Sequence, residues 1–301
     1  MARIGLVVTG DMERSALSDS LRAVFPSGEF TIVRQVNGFT GGSSLQAPRS
    51  APSARSDVET FARTLLAALD APPRRRDPRL DYVIGIDDLE LMNDAHPEVA
   101  VNHLTDELRR QVGELDRPDQ AKKFDHLRDR CSFHIFKPMP EAYFFGEEDA
   151  LVRAGKLGGK SSRFDPVACD VEQFLVEDAD YLRPRDVSPS RVPGESHWRR
   201  PNRERHPKQY LMFLSDPLEP PEDPIEASDQ GRTWHYKETR EGAAALRQLA
   251  WRQVLRDPKH AQFARSLFAD IAAMLDVPPP FPGDCHTLTW ACRREQLLRN
   301  L

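Results

Sequence analysis

Short apolar runs along the chain alternate with segments in which apolar residues recur every three or four positions. Ile4–Val8 is one such run, rich in β-branched residues, and predicts a buried strand. Thr9-Gly10-Asp11 punctuates it. Ala16, Leu17, Leu21 and Val24 then recur at helical spacing, which predicts a helix capped by Asp11 and ended by Pro26-Ser27-Gly28. Phe30–Val36 places Phe30, Ile32 and Val36 among polar residues and predicts a second strand. Asn37 to Arg55 is rich in Gly, Ser and Pro and predicts a mobile loop. Ser56 is placed to cap a second helix, Asp57–Leu69, with Val58, Phe61, Leu65, Leu66 and Leu69 on one face. After a turn at Pro72–Arg76 comes a third strand, Leu80–Ile86. The order β-α-β-α-β argues for a parallel α/β sheet.

The pattern continues with helices at about Asn102–Leu115 and Gln120–Arg128, a fourth strand at Cys131–Phe136, and a helix over Pro140–Ala154 that Gly155–Gly159 breaks. Arg183–Pro207 is irregular, basic and proline-rich. Pro207–Leu214 opens a short element, and Leu218–Gly231 is an acidic, proline-bearing loop. Two helices, Gly242–Arg256 and His260–Leu275, precede Pro278-Pro279-Pro280. Three regions follow: an α/β domain over 1–155, an irregular basic and acidic insertion over 156–241, and C-terminal helices over 242–301 that pack on the first domain. No internal repeat is visible.

Composition narrows the function classes. Of 301 residues, 39% are hydrophobic and 30% charged, which suits a folded globular chain rather than a disordered one. The formal net charge of −5 excludes a bulk cationic coat for nucleic acid but not a local basic patch. Arg183 to Lys208 is such a patch, with eight Arg/Lys against three acids. Arg199, Arg200, Arg203, Arg205 and Lys208, interleaved with Trp198, His197 and His206, are candidates for DNA or RNA contact. A solvated loop or a surface for an acidic partner is the competing reading. The acidic loop could shield the patch when nothing is bound. No apolar run approaches the roughly 18 residues of a membrane span. Ile4–Val8 is too short for a signal-peptide core, and the four cysteines form no disulfide framework. The expectation is a reduced, cytoplasmic protein with no membrane association, as monomer or oligomer.

Ligands of parallel sheets bind beyond the carboxyl ends of the strands. Each predicted strand delivers acids there: Asp11 and Glu13 after the first, Asp87, Asp88 and Glu90 after the third, and Glu141, with Lys137 nearby, after the fourth. Helix N-termini attract carboxylates for dipole reasons, which accounts for Asp11 and Glu141. It accounts less well for three acids in four residues closing an apolar strand. Clustered carboxylates call for a cation, and Mg²⁺ (or Mn²⁺) takes such oxygen ligands. Strand alternation puts Asp88 and Glu90 on one side. Other groups carry less. Gly158-Gly159-Lys160-Ser161 has the ending of a phosphate loop, but residue 154 is Ala and a helix precedes it. Cys285, His286 and Cys292 lack a fourth ligand at zinc spacing, and Cys131 and Cys169 stand apart. His134 between Phe133 and Ile135 reads as a core histidine, and Trp234 and Trp251 as packing residues.

The order of these motifs resembles the Toprim fold of topoisomerases, primases and nucleases. More closely, it is similar to a bacterial Toprim-like family of unknown function, often encoded beside ATPases in phage-defence operons. Val7-Val8-Thr9-Gly10-Asp11-Met12-Glu13 matches that family's strand and Glu-Gly-x-x-Glu start. Tyr82–Glu90 matches its acidic strand end, and Pro138-Met139-Pro140-Glu141-Ala142-Tyr143 its helix start. Pro207-Lys208-Gln209-Tyr210 and Tyr236-Lys237 match its later elements. The resemblance spans about Arg3 to Leu275. It implies a Toprim-like parallel sheet flanked by helices, with a mostly helical C-terminal extension. It also implies a Mg²⁺-dependent nuclease or nuclease subunit of an anti-phage system, acting with an ATPase. Glu13, Asp87, Asp88 and Lys137 are then the catalytic candidates, and Asp88, Glu90 and Glu141 the metal ligands. The family's first Glu stands here as Thr9, with Glu13 the nearest acid on the following helix. Whether the chain is an enzyme therefore stays open. A catalytically inactive scaffold that binds nucleic acid or docks onto an ATPase is the alternative, and a metal-dependent phosphatase a third.

Overall fold

Strand β1 (Ala2–Val8) is central, because its alternate side chains are apolar on both faces and must be covered twice. It pairs in parallel with β2 (Gly28–Gln35) on one side and β3 (Tyr82–Asp88) on the other, and β3 pairs in parallel with β4 (Cys131–Phe136). The order is β2-β1-β3-β4, all parallel and flanked by helices, consistent with a Toprim-like layout. The computed structural model describes residues 1–40, 52–70, 79–182, 202–215, 236–284 and 296–301. The proline-arginine turn at 72–76, most of the basic segment including Arg199 and Arg200, the acidic loop and Cys285, His286 and Cys292 lie outside the described residues.

The period-two alternation of strands sorts the core into two layers. Ile4, Leu6, Val8, Ile84, Ile86 and Phe136 point to one face. There they meet α1 (Asp11–Val24) through Met12, Ala16, Leu17 and Leu21. Val7, Val83, Phe133 and Ile135 point to the other face, against α2 (Pro52–Asp70), α3 (Pro97–Gly113) and α4 (Arg117–Arg130). Gly85 allows that second packing, since a Cβ there would lie 2.8 Å from the Phe61 ring.

The α1-side layer is completed by the later chain. After α5 (Glu141–Phe144), α6 (Glu148–Arg153), α7 (Ala179–Leu182) and α8 (Pro207–Ser215) come a π-helical turn at Glu238–Gly242 and α9 (Ala243–Arg247). Then follow α10 (Trp251–Val254) and α11 (Gln262–Met274). α9 packs on α1, and α11 on β4. The N-terminus of α11 is capped from a distance: Glu172 accepts from the backbone N–H of Phe263 and Ala264 at 3.0 and 2.9 Å, and Asp170 from that of Ala261 at 2.9 Å. These acids satisfy donors that the first turn of any helix leaves unpaired. His134 is buried, with Nε2 3.1 Å from Asp270 Oδ2, as expected of a core histidine. Residues 296–301 close the β4 edge: the Asn300 side chain donates to the Phe133 carbonyl at 2.7 Å and accepts from its N–H at 3.1 Å.

Several expected elements differ. Asp11 is the first residue of α1 rather than its cap; the capping position is Gly10. Ser56 lies inside α2, which starts at Pro52. The single helix expected over Pro140–Ala154 is two short helices separated by Gly146, whose missing side chain makes room for Val254 at 3.1 Å. Gly242–Arg256 is likewise split, into α9 and α10, at residues 248–250, where Glu147 accepts from the Ala250 N–H at 2.7 Å. Both breaks come from tertiary packing, which a helical repeat does not encode.

Candidate active site

Chain order reverses between β1 and β3: the connection from β1 goes to β2 on one side, and the chain then crosses to β3 on the other. A crevice opens at the carboxyl ends of strands at such a point. A cavity of about 450 Å³ occupies it, and Glu13, Asp87, Asp88, Glu90, Glu141 and Glu238 all line it. Lys208, His206 and Thr40 join them.

Alternation sends the two aspartates at the end of β3 to different surroundings. Asp87 is on the α2 side and is held by four donors. Thr9 Oγ1 donates to its Oδ1 at 2.7 Å and the Asp88 N–H at 2.9 Å, while the Phe39 N–H and Thr40 Oγ1 donate to Oδ2 at 3.2 and 3.4 Å. Burial raises the Asp87 pKa to about 6, against the pull of these donors. Gly38 must stay bare, because a Cβ would sit 2.9 Å from Asp87 Oδ1. Thr9 thus serves Asp87 at the position where the resembled family carries an acid.

Asp88 is on the α1 side with Glu13. The Glu13 carboxylate folds back over the start of α1, so that a Cβ on Gly10 would lie 2.1 Å from Glu13 Oε2. Glu13 Oε1 and Asp88 Oδ1 are buried without a hydrogen-bond partner. Burial first, then Glu141, Glu238 and Asp87, raises Glu13 to a pKa of about 8. Burial, then the charges of Glu13 and Glu90, pushes Asp88 well above the usual carboxylate range. Glu90 reaches this neighbourhood by a different route from the one alternation implies. β3 ends at Asp88, and Glu90 has a left-handed backbone with φ of 59°.

Glu141 accepts from Tyr236 Oη at 3.1 Å. Burial raises its pKa, while Lys208 opposes the shift. Lys208 hydrogen-bonds Glu238. Burial opposes the Lys208 charge, but Glu141 and Glu238 outweigh it and its pKa is raised. Among the remaining expected residues, Lys137 does not line the cavity: its Nζ is 3.3 Å from Asp94 Oδ1 and its ammonium lies over the Phe263 ring. Arg205 pairs with the same Asp94. Arg203 is buried, lies over the Tyr181 ring and donates to the Tyr181 carbonyl, which is a packing role. Lys160 donates to the Phe213 carbonyl at 2.7 Å and lies over its ring, so the glycine-lysine stretch is structural as well. Glu238 and Thr40 carry no sequence signal of their own. Glu238 could have been sought only through the adjoining Tyr236-Lys237.

Among the described residues no group of three or more His, Cys, Asp or Glu has metal-holding geometry. The donor chemistry nevertheless fits Mg²⁺ or Mn²⁺. Mg²⁺ commonly takes one or two carboxylates and fills its octahedron with water and phosphate, and two carboxylates here present unpaired buried oxygens. No helix among the described residues is long and apolar enough to cross a membrane. No family model, curated protein or solved structure matches the chain.

Proposed function

We propose that this chain is a Toprim-like, divalent-cation-dependent phosphodiesterase acting on nucleic acid. One observation carries the reading: the buried, unpaired oxygens of Glu13 and Asp88 share a cavity at the switch point of a parallel sheet. Such a pair cannot both ionise without a cation. An anionic substrate would also be repelled from six carboxylates unless positive charge were present. The five segments that carry the resemblance, far apart in sequence, each send residues to this cavity or its wall.

Asp88 and Glu13 would hold Mg²⁺ or Mn²⁺, which when bound polarises a phosphoryl oxygen and offsets the charge developing on it. Asp87, fixed by its four donors, orients the end of β3 and so the direction of Asp88. Lys208 and His206 present groups that bond phosphate oxygens, at the end of the basic segment that would bring the strand in. The expected ATPase partner and role in phage defence rest on the resemblance alone.

The test is cleavage of single- and double-stranded DNA and RNA with Mg²⁺ or Mn²⁺, with and without an ATPase encoded alongside. Asp88→Asn keeps the shape and removes the charge, so activity should fall by more than ~100-fold while folding survives. The second reading, an inactive scaffold, is favoured by the engagement of Thr9 with Asp87 where the family has an acid. Absence of cleavage by wild type under every metal and partner condition would overturn the enzyme and leave that scaffold.

A further inference from the structure

Four of the six carboxylates of the cavity form two pairs with different partners. Glu13 and Asp88 have oxygens that nothing satisfies. Glu141 and Glu238 are already served: Tyr236 donates to Glu141, and Lys208 hydrogen-bonds Glu238 and faces Glu141 electrostatically. A two-metal phosphodiesterase uses a cation on each side of the reacting phosphate, about 3.5–4 Å apart. Here one of the two acidic pairs carries a lysine.

Resting on the reading of this cavity as a cation-dependent site, we infer that Lys208 is a resident cation that takes the place of a second metal ion. The site then binds one divalent cation, at the Glu13–Asp88 pair. A lysine ammonium is a compact point charge with three donors on a flexible stem. It neutralises Glu141 and Glu238, and it can direct its remaining hydrogens at a phosphate oxygen without leaving them. Burial of a lysine among apolar groups would favour its neutral form, but the acids around Lys208 hold it charged. The arrangement also fits the position of Lys208 at the first turn of α8, where the chain brings it in from the basic segment rather than from the sheet. His206 lines the same wall.

Metal counting on the full-length protein tests this with Mn²⁺ as the probe, by calorimetry and by electron paramagnetic resonance of free Mn²⁺. Wild type is expected to bind one Mn²⁺ per chain. Asp88→Asn should weaken that binding by more than ~100-fold. Lys208→Met, which keeps the stem and removes the charge, should bind a second Mn²⁺ at the vacated acids. Glu141→Gln combined with Glu238→Gln should leave the count at one, which gives a readout should Lys208→Met fail to fold. Two Mn²⁺ in wild type, with one lost in the Glu141/Glu238 variant, would overturn the resident-cation role and leave the cation-dependent reading standing. A count that stays at one in folded Lys208→Met would overturn it as well. No Mn²⁺ bound by wild type would remove both together.

Discussion

Gly10→Ala separates the position of the Glu13 carboxylate from its presence. The backbone at Gly10 is extended, with φ of −93° and ψ of 152°, a conformation alanine adopts freely. A Cβ there would lie 2.1 Å from Glu13 Oε2, where ordinary contact begins at 3.4 Å. The carboxylate must therefore retreat by more than an ångström, and it can, because it ends a flexible side chain. Alanine caps helices less well than glycine, by about 1 kcal/mol. With ~2.1 cal/mol/K of unfolding entropy per residue, that is a loss of about 2 °C in Tm for a chain of 301 residues. Misplacement of a catalytic group by 1 Å costs about 10²-fold. The expected result is a nearly unchanged melt with cleavage and Mn²⁺ affinity both reduced on the order of 100-fold. Glu13→Ala should cost about as much, and the double variant no more than either. Activity and Mn²⁺ affinity within twofold of wild type would show that Glu13 is not part of the site. A fall in Tm of tens of degrees would show that its placement is structural.

Thr9→Val removes one of the donors to buried Asp87 and should destabilise the fold by about 1–3 kcal/mol at pH 8, measured by denaturant unfolding. The loss should be smaller at pH 5, where Asp87, with its pKa raised to about 6, is largely protonated. In the metal-free wild type, the raised pKa values of Glu13 and Asp87 mean that the folded state binds more protons than the unfolded one. Their contribution to stability is therefore present in full below pH ~4 and is lost as pH rises towards about 8. Glu13→Gln should flatten that slope between pH 5 and 8, and an unchanged slope would contradict a buried, neutral Glu13. Arg203→Ala should lower Tm through loss of its contacts with Tyr181 while leaving the salt dependence of nucleic-acid binding unchanged. A slope reduced by about one phosphate contact would return Arg203 to the binding surface.

β1, β3 and β4 were readable because each is a short, mainly apolar run, β2 through alternation, and Cys131–Phe136 lies where its pattern puts it. The acids at the ends of β1 and β3 were readable for the same reason, since the carboxyl end of a strand is a position in sequence as well as in space. The parity of Asp87 and Asp88 follows from the pleat, but its consequence depends on what lies on each face. The four donors to Asp87 come from Thr9, Phe39, Thr40 and the Asp88 backbone, and no local pattern announces that they meet. Extending the alternation to Glu90 failed because the strand stops two residues earlier. Glu238 belongs to a π-helical turn whose place is set by Gly242 docking against Met12, a contact between segments over 200 residues apart.

The two borders of the sheet are protected in unlike ways, with a consequence for association. β2 carries Glu29, Arg34 and Gln35 and pairs with β1 through a register shift between Leu6 and Val7, features that discourage a foreign strand from docking. β4 is buried throughout and carries no carboxylate, lysine or arginine of that kind. Its outward amide and carbonyl at Phe133 are occupied by one side-chain amide, that of Asn300, while Leu298 and Leu301 anchor the segment in the α2-side core. Detachment of residues 296–301 would uncover a largely apolar strand edge able to template another chain. Solubility of the folded protein at high concentration thus depends on a six-residue clasp remote from the cavity.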